Sequence, residues 1–171
     1  MGHREHKHAA PTQVPLALVT VSTSRGQAED RSGPVMADLC QAAGHPILDR
    51  RIIPDGVESL RACLQDLAAL SALKAVFFSG GTGIAAADLS VEALEPLWVK
   101  RLPGFGELFR SLSYTEIGSP AMLSRAQAGV VEQGGRRIFV ALLPGSPKAA
   151  GLALEKLLLP ELGHLVYEME R

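Results

Sequence analysis

The chain is 171 residues long, about the size of one domain, and a chain of that length buries roughly two-thirds of its unfolded surface in a single core. Its formal net charge of −1 comes from 17 basic and 18 acidic residues mixed along the sequence. That mixture excludes an electrostatic footprint for nucleic acid or for an anionic membrane. The apolar runs are strand-length, far short of the roughly 20 residues of a membrane span, and the expected location is cytoplasmic.

The first 14 residues carry His3, His6 and His8 among charges and lack the apolar stretch of a signal peptide. Nothing apolar there offsets the cost of ordering, so this segment reads as a disordered tail ahead of one domain at 15–171. Residues 16–22, LALVTVS, are apolar and β-branched and predict a buried first strand. The polar loop 23–31 then feeds a helix over about residues 32–43, with Ser32 as its N-cap and Gly44 as the glycine that ends it. Residues 47–53 predict a second strand, closed by Pro54-Asp55-Gly56, and residues 58–70 an amphipathic helix. Residues 75–79 are a third, central strand.

Strand, helix, strand, helix, strand implies βαβ units and a largely parallel sheet with helices on both faces. Further on, Ser90 is placed to cap a short helix reaching about residue 97, and Pro103 opens another over about residues 104–114. Residues 128–132 and 136–143 flank Gly134-Gly135, a hairpin that puts antiparallel pairing at one side of the sheet. A long helical region interrupted at Pro160 closes the chain. The expected fold is therefore a three-layer α/β/α sandwich on a mostly parallel sheet. Cys40 and Cys63 sit at helical spacing among apolar residues and read as small core residues.

In an open α/β sheet, ligands collect beyond the carboxyl ends of the strands, where loops converge and helix N-termini present bare N–H groups. Four loops meet that description: 23–32, 54–56, 80–88 and 144–148. In Ser79-Gly80-Gly81-Thr82-Gly83, three glycines allow positive φ and bring several N–H groups against one phosphate or carboxylate, and Thr82 adds a hydroxyl. Glycines alone fit a tight structural turn equally well. The turn matches neither the dinucleotide fingerprint nor the P-loop, since no Gly-Lys-Ser/Thr follows it. Asp55 and Asp88 each follow a strand end, and two carboxylates beside a phosphate cradle suit Mg²⁺. Each taken singly also fits a local role, Asp55 in its turn and Asp88 at the entry to the next helix. Pro144-Gly145-Ser146-Pro147-Lys148 offers a second donor set at a helix start, with Ser146 as cap and Lys148 as a mobile charge. Ser124-Arg125 offers a further anion contact, although an exposed arginine is equally an ordinary surface residue.

Together with Val19-Thr20-Val21-Ser22, Ile53-Pro54-Asp55, Leu102-Pro103-Gly104-Phe105-Gly106-Glu107 and Met122-Leu123-Ser124-Arg125-Ala126, these motifs resemble the molybdopterin adenylyltransferase family of molybdenum cofactor biosynthesis from about Leu16 onward. The resemblance implies Mg-ATP-dependent adenylylation of molybdopterin, a homotrimer or a homohexamer of two trimers, and other proteins of the same pathway as partners. It places the family's two functional aspartates, catalytic and metal-binding, on Asp55 and Asp88. The nucleotide-phosphate cradle falls on Gly80, Gly81, Thr82 and Gly83, and the pterin and terminal-phosphate contacts fall around Ser22, Ser124, Ser146 and the neighbouring glycine turn. Two departures touch the ligand loops: Thr23 stands where many relatives are acidic, and Ala85-Ala86-Ala87 replaces a Ser-Pro-Arg run. The second removes a cation that helps hold a polyphosphate. Two other roles share the fold, a non-catalytic pterin carrier and molybdate insertion, the latter performed by proteins with large additional domains.

Overall fold

The computed structural model describes residues 10–22 and 30–171. Among them six strands, β1 (Leu16–Val21), β2 (Ile47–Ile53), β3 (Ala75–Ser79), β4 (Trp98–Arg101), β5 (Gln127–Gln133) and β6 (Arg136–Leu143), form one sheet in the order β2-β1-β3-β6-β5-β4. The first four strands of that order are mutually parallel, and β5 runs antiparallel to both β6 and β4. The helices are α1 (Ser32–Ala42), α2 (Val57–Ala68), α3 (Ser90–Leu94), α4 (Pro103–Ile117), α5 (Pro147–Ala153) and α6 (Leu162–Glu170).

Every residue of β1 and β3 is buried, because helices cover both faces. Alternate side chains sort into two cores. Leu16, Leu18, Phe77 and Phe139 pack under α1, α4, α5 and α6, where the Phe77 and Phe139 rings meet edge to face with centroids 6.4 Å apart. Val19, Val76, Phe78 and Val140 pack under α2 and α3. This is the three-layer α/β/α fold. Cys40 and Cys63 lie one in each core, and burial pushes their thiols up to about 12 and about 11, so both stay protonated and unreactive.

Several local features depart from the sequence expectations. The helix expected to reach residue 97 stops at Leu94, and a tighter turn, Glu95–Leu97, containing Pro96, leads into β4. That edge strand buries little beyond Trp98, whose indole lies on Gly129, and its exposed charges disguise it in the sequence while blunting the sheet edge. α1 is capped from two residues further out than expected: Asp30 accepts the Gly33 N–H at 2.9 Å and hydroxyl bonds from Thr20 and Ser32. Ser90 does not cap α3 either, since its Oγ donates to the Gly80 carbonyl at 2.8 Å. The C-terminal helical region passes from α5 into a π-helical turn, Leu154–Leu158, so it departs from α-helical geometry before Pro160. The packed body also begins before residue 15, because Val14 is fully buried and donates its N–H to His45 Nδ1 at 3.1 Å. His3, His6, His8 and Thr23 lie outside the described residues.

Candidate functional site

The four parallel strands bring their carboxyl ends to one edge, and the loops that follow them enclose a cavity of about 1150 Å³. That lies at the upper end of the range for small-ligand pockets, roughly 300–1,000 Å³, and the cavity is open to solvent. β1 contributes Ser22, β2 leads to Asp55, β3 leads through Ser79 into the glycine turn and on to Asp88, and β6 leads to Pro144, Gly145 and Ser146. Ser124, ahead of β5, completes the wall.

The turn is built by close approach. Gly80 N–H donates to Leu143 O at 2.9 Å, and Ser79 Oγ donates to Pro144 O at 2.9 Å, fastening the end of β3 to the end of β6. Gly80 has φ +119°, and a Cβ there would stand 2.3 Å from the Val21 carbonyl oxygen. Only glycine lets the chain pass so close to β1. A Cβ on Gly81, at φ +64°, would lie 2.4 Å from Ser90 Oγ and 3.1 Å from Asp55 Oδ1. A Cβ on Gly83 would lie 2.6 Å from Asp88 Oδ2. The two aspartates therefore face the same turn from either end of it. Asp88 Oδ2 also accepts the Ala85 N–H at 2.9 Å, which fixes its rotamer.

The layers divide the charges. Asp55 and Asp88 precede α2 and α3 on one face of the sheet, whereas α1 and α5, on the other face, point their N-termini at the cavity through Arg31, Ser32 and Ser146. Arg31 is the single cation among the described residues of the lining, and sequence reasoning passed over it because it reads as part of a polar loop.

The chain of the Pro-Gly-Ser-Pro-Lys loop turns away after Pro147. Lys148 lies outside this cavity and pairs with Glu116 Oε2 at 2.7 Å, which holds the Glu116 carboxyl below its ordinary range. Thr82 is buried in the turn, and its carbonyl accepts the Arg125 N–H at 2.9 Å. No group of three or more His, Cys, Asp or Glu side chains able to hold a metal occurs among the described residues, so the two aspartates stand as a pair of carboxylates.

Residues 17–164 match the model of the family described as "Probable molybdopterin binding domain". The chain belongs to this family. Within it, the chain is 43% identical over 172 residues to Molybdenum cofactor biosynthesis protein B of Bacillus subtilis (strain 168), covering 100% of this chain and 99% of that one. It is 38% identical over 152 residues to the protein of the same name from Escherichia coli (strain K12), covering 89% and 86%. Among solved structures, the tungsten cofactor synthesizing protein MoaB from Pyrococcus furiosus superposes with a TM-score of 0.85 at 33% identity, covering 95% of this chain and all of that one. The family thus spans the whole sheet and every loop that lines the cavity.

Proposed function

We propose that this chain adenylylates molybdopterin, with Mg-ATP as the second substrate and pyrophosphate as the leaving product. The observation that carries the reading is a cavity at the carboxyl ends of four parallel strands in which Asp55 and Asp88 face one glycine turn. Membership of a molybdenum cofactor biosynthesis family supports the pterin as one of the substrates.

A terminal phosphate oxygen of molybdopterin attacks the α-phosphorus of ATP in line. The new P–O bond forms as the bond to the pyrophosphate oxygen breaks, giving adenylylated molybdopterin and free pyrophosphate. The attacking phosphate is already ionised at neutral pH, so no side chain has to remove a proton. The protein's contribution is to position the ligands and balance charge. The glycine turn brings the backbone of Gly81, Thr82 and Gly83 to the cavity wall, the Gly80 N–H being taken by Leu143 O, and the α1 and α5 N-termini add their dipoles on the facing layer. Arg31 supplies the cation there. Two hard carboxylate oxygens suit Mg²⁺, and Asp88 and Asp55 would hold it. When bound, the ion neutralises phosphate charge.

The exposed apolar side chains of α4 and of the turn Ser119–Leu123, among them Leu108, Tyr114, Ile117, Met122 and Leu123, support a homo-oligomer. The mixed surface charge and the lack of any helix long and apolar enough to cross a membrane among the described residues go with a cytoplasmic location.

The decisive assay incubates the protein with molybdopterin and Mg-ATP and measures adenylylated pterin and pyrophosphate together. Both should form in equal amounts, and D55A and D88A should each lower the rate by at least about 10²-fold. Tight pterin binding without product would instead assign the chain as a carrier. Full activity in both variants would overturn the carboxylate roles.

A further inference from the structure

Arg125 stands just outside the cavity lining, yet four bonds converge on it. Its backbone N–H donates to Thr82 O at 2.9 Å, Nε donates to Gly83 O at 2.7 Å, Nη2 donates to Asp88 O at 2.8 Å, and Nη1 meets the Glu92 carboxylate. One guanidinium thus grips both ends of residues 83–88. The segment between has little else to hold it: Ile84 is 70% exposed and is followed by three exposed alanines. The two bonds between Ala85 and Asp88 close the loop on itself without tying it to the body.

We infer that Arg125 is a positioning residue: by clamping the Gly83 and Asp88 carbonyls it places the Asp88 carboxylate against the glycine turn, and so sets the affinity for a divalent cation without touching either ligand. The inference rests on the reading of Asp88 as a metal-side carboxylate. A planar fork with donors on separate nitrogens reaches two carbonyls and a carboxylate at once, which a lysine ammonium does not reproduce. Arg125 in turn holds the Glu92 carboxyl below its ordinary range, so Glu92 stays ionised and keeps the guanidinium facing the loop rather than the cavity. The sequence suggested an anion contact for Ser124-Arg125; the structure divides the pair, giving Ser124 to the cavity and Arg125 to the loop that carries Asp88.

Two measurements on the full chain test this. The first is amide hydrogen exchange of residues 83–88 in the unliganded protein, comparing wild type with R125A and R125K. Exchange should be at least about tenfold faster in R125A and intermediate in R125K. The second is Mn²⁺ binding, by electron paramagnetic resonance, in the presence of a non-hydrolysable ATP analogue. R125A should weaken it about tenfold, while molybdopterin affinity stays within about twofold of wild type. Unchanged exchange in R125A overturns the clamp, and an equal loss of Mn²⁺ and pterin affinity makes the role merely structural. If R125A does not fold, R125K carries both comparisons against the same criteria. A wild type that binds Mn²⁺ and the analogue but forms no adenylylated pterin defeats the proposed reaction and leaves the clamp standing.

Discussion

Gly80 and Gly104 differ in what a methyl group would meet. At Gly80 it would lie 2.3 Å from the Val21 carbonyl oxygen, on a backbone at φ +119°, whereas at Gly104 nothing stands within 4 Å. G80A should therefore lose at least about 1–3 kcal/mol of stability and release the end of β3 from β6. G104A, in the first turn of α4, should gain about 0.4–1 kcal/mol by restricting the unfolded chain. Urea unfolding of the two variants decides the matter, and equal midpoints would show that the turn yields easily. His45 gives a second residue-scale prediction. Its Nδ1 accepts the Val14 N–H, and burial lowers its pKa from the ordinary 6.5. Below pH 6.5 the unfolded chain therefore binds a proton that the native chain resists, and stability falls with acidification from there until the native pKa is passed. H45Q, whose amide oxygen can still accept the Val14 N–H, should flatten that slope in urea midpoints measured above the carboxyl range. Identical slopes would remove His45 as the cause.

Helix α2 ends against the hairpin of β5 and β6, and one side chain makes the joint. Arg136 Nη1 donates to Leu70 O at 3.2 Å and Ser71 O at 2.6 Å, and Nη2 donates to Ala68 O, so carbonyls left over at the helix end find a cationic partner. R136A should cost about 1 kcal/mol, since water reaches the exposed carbonyls, and lower the melting temperature by about 2–4 °C. The joint lies at the start of β6 and the cavity at its end, so ligand affinity should not change; a loss of affinity would show that the ends of the sheet are coupled. Elements of this kind were unevenly legible. β2 and β6 were found to the residue because Ile47–Ile53 and Arg136–Leu143 are bounded by Pro-Asp-Gly, Gly-Gly and Pro-Gly signals. β4 was missed because an edge strand buries so little that its four residues carry no periodic signal. The Asp30 cap was missed because Ser32 is the better-placed residue only if the helix starts one residue later.

At the scale of the whole molecule, a mostly parallel sheet with antiparallel pairing at one side was implicit in the alternation of strands and helices and in the Gly-Gly hairpin, and the convergence of the loops after β1, β2, β3 and β6 followed from their being parallel; the strand order itself was not legible. The bonds that set the site were not legible, since Arg125 meets Gly83 across 42 positions and Ser79 meets Pro144 across 65, distances over which no local pattern reports. The same holds for surfaces. α4 buries Phe105 and Phe109 inward but leaves Leu108, Tyr114 and Ile117 exposed, and the turn after it exposes Met122 at 76% and Leu123 beside the cavity residue Ser124. Tyr114 and Ile117, three positions apart, share one side of α4, with Leu108 about 180° round the helix from Ile117; apolar side chains left in water on an 18.1 kDa chain are costly unless covered, and a stable contact between copies needs about 800 Å² from each partner. Light scattering should accordingly give a mass three or six times that of the chain. Y114D combined with I117D should return it to the monomer while leaving the circular dichroism of the fold intact, because both side chains are exposed on one side of α4 and neither belongs to the core. Leu123 and Ser124 lie where that face meets the cavity, so the monomeric variant should also bind molybdopterin more weakly. Unaltered pterin affinity in a proven monomer would separate assembly from the site, and an unaltered mass would move the contact to another face of the molecule.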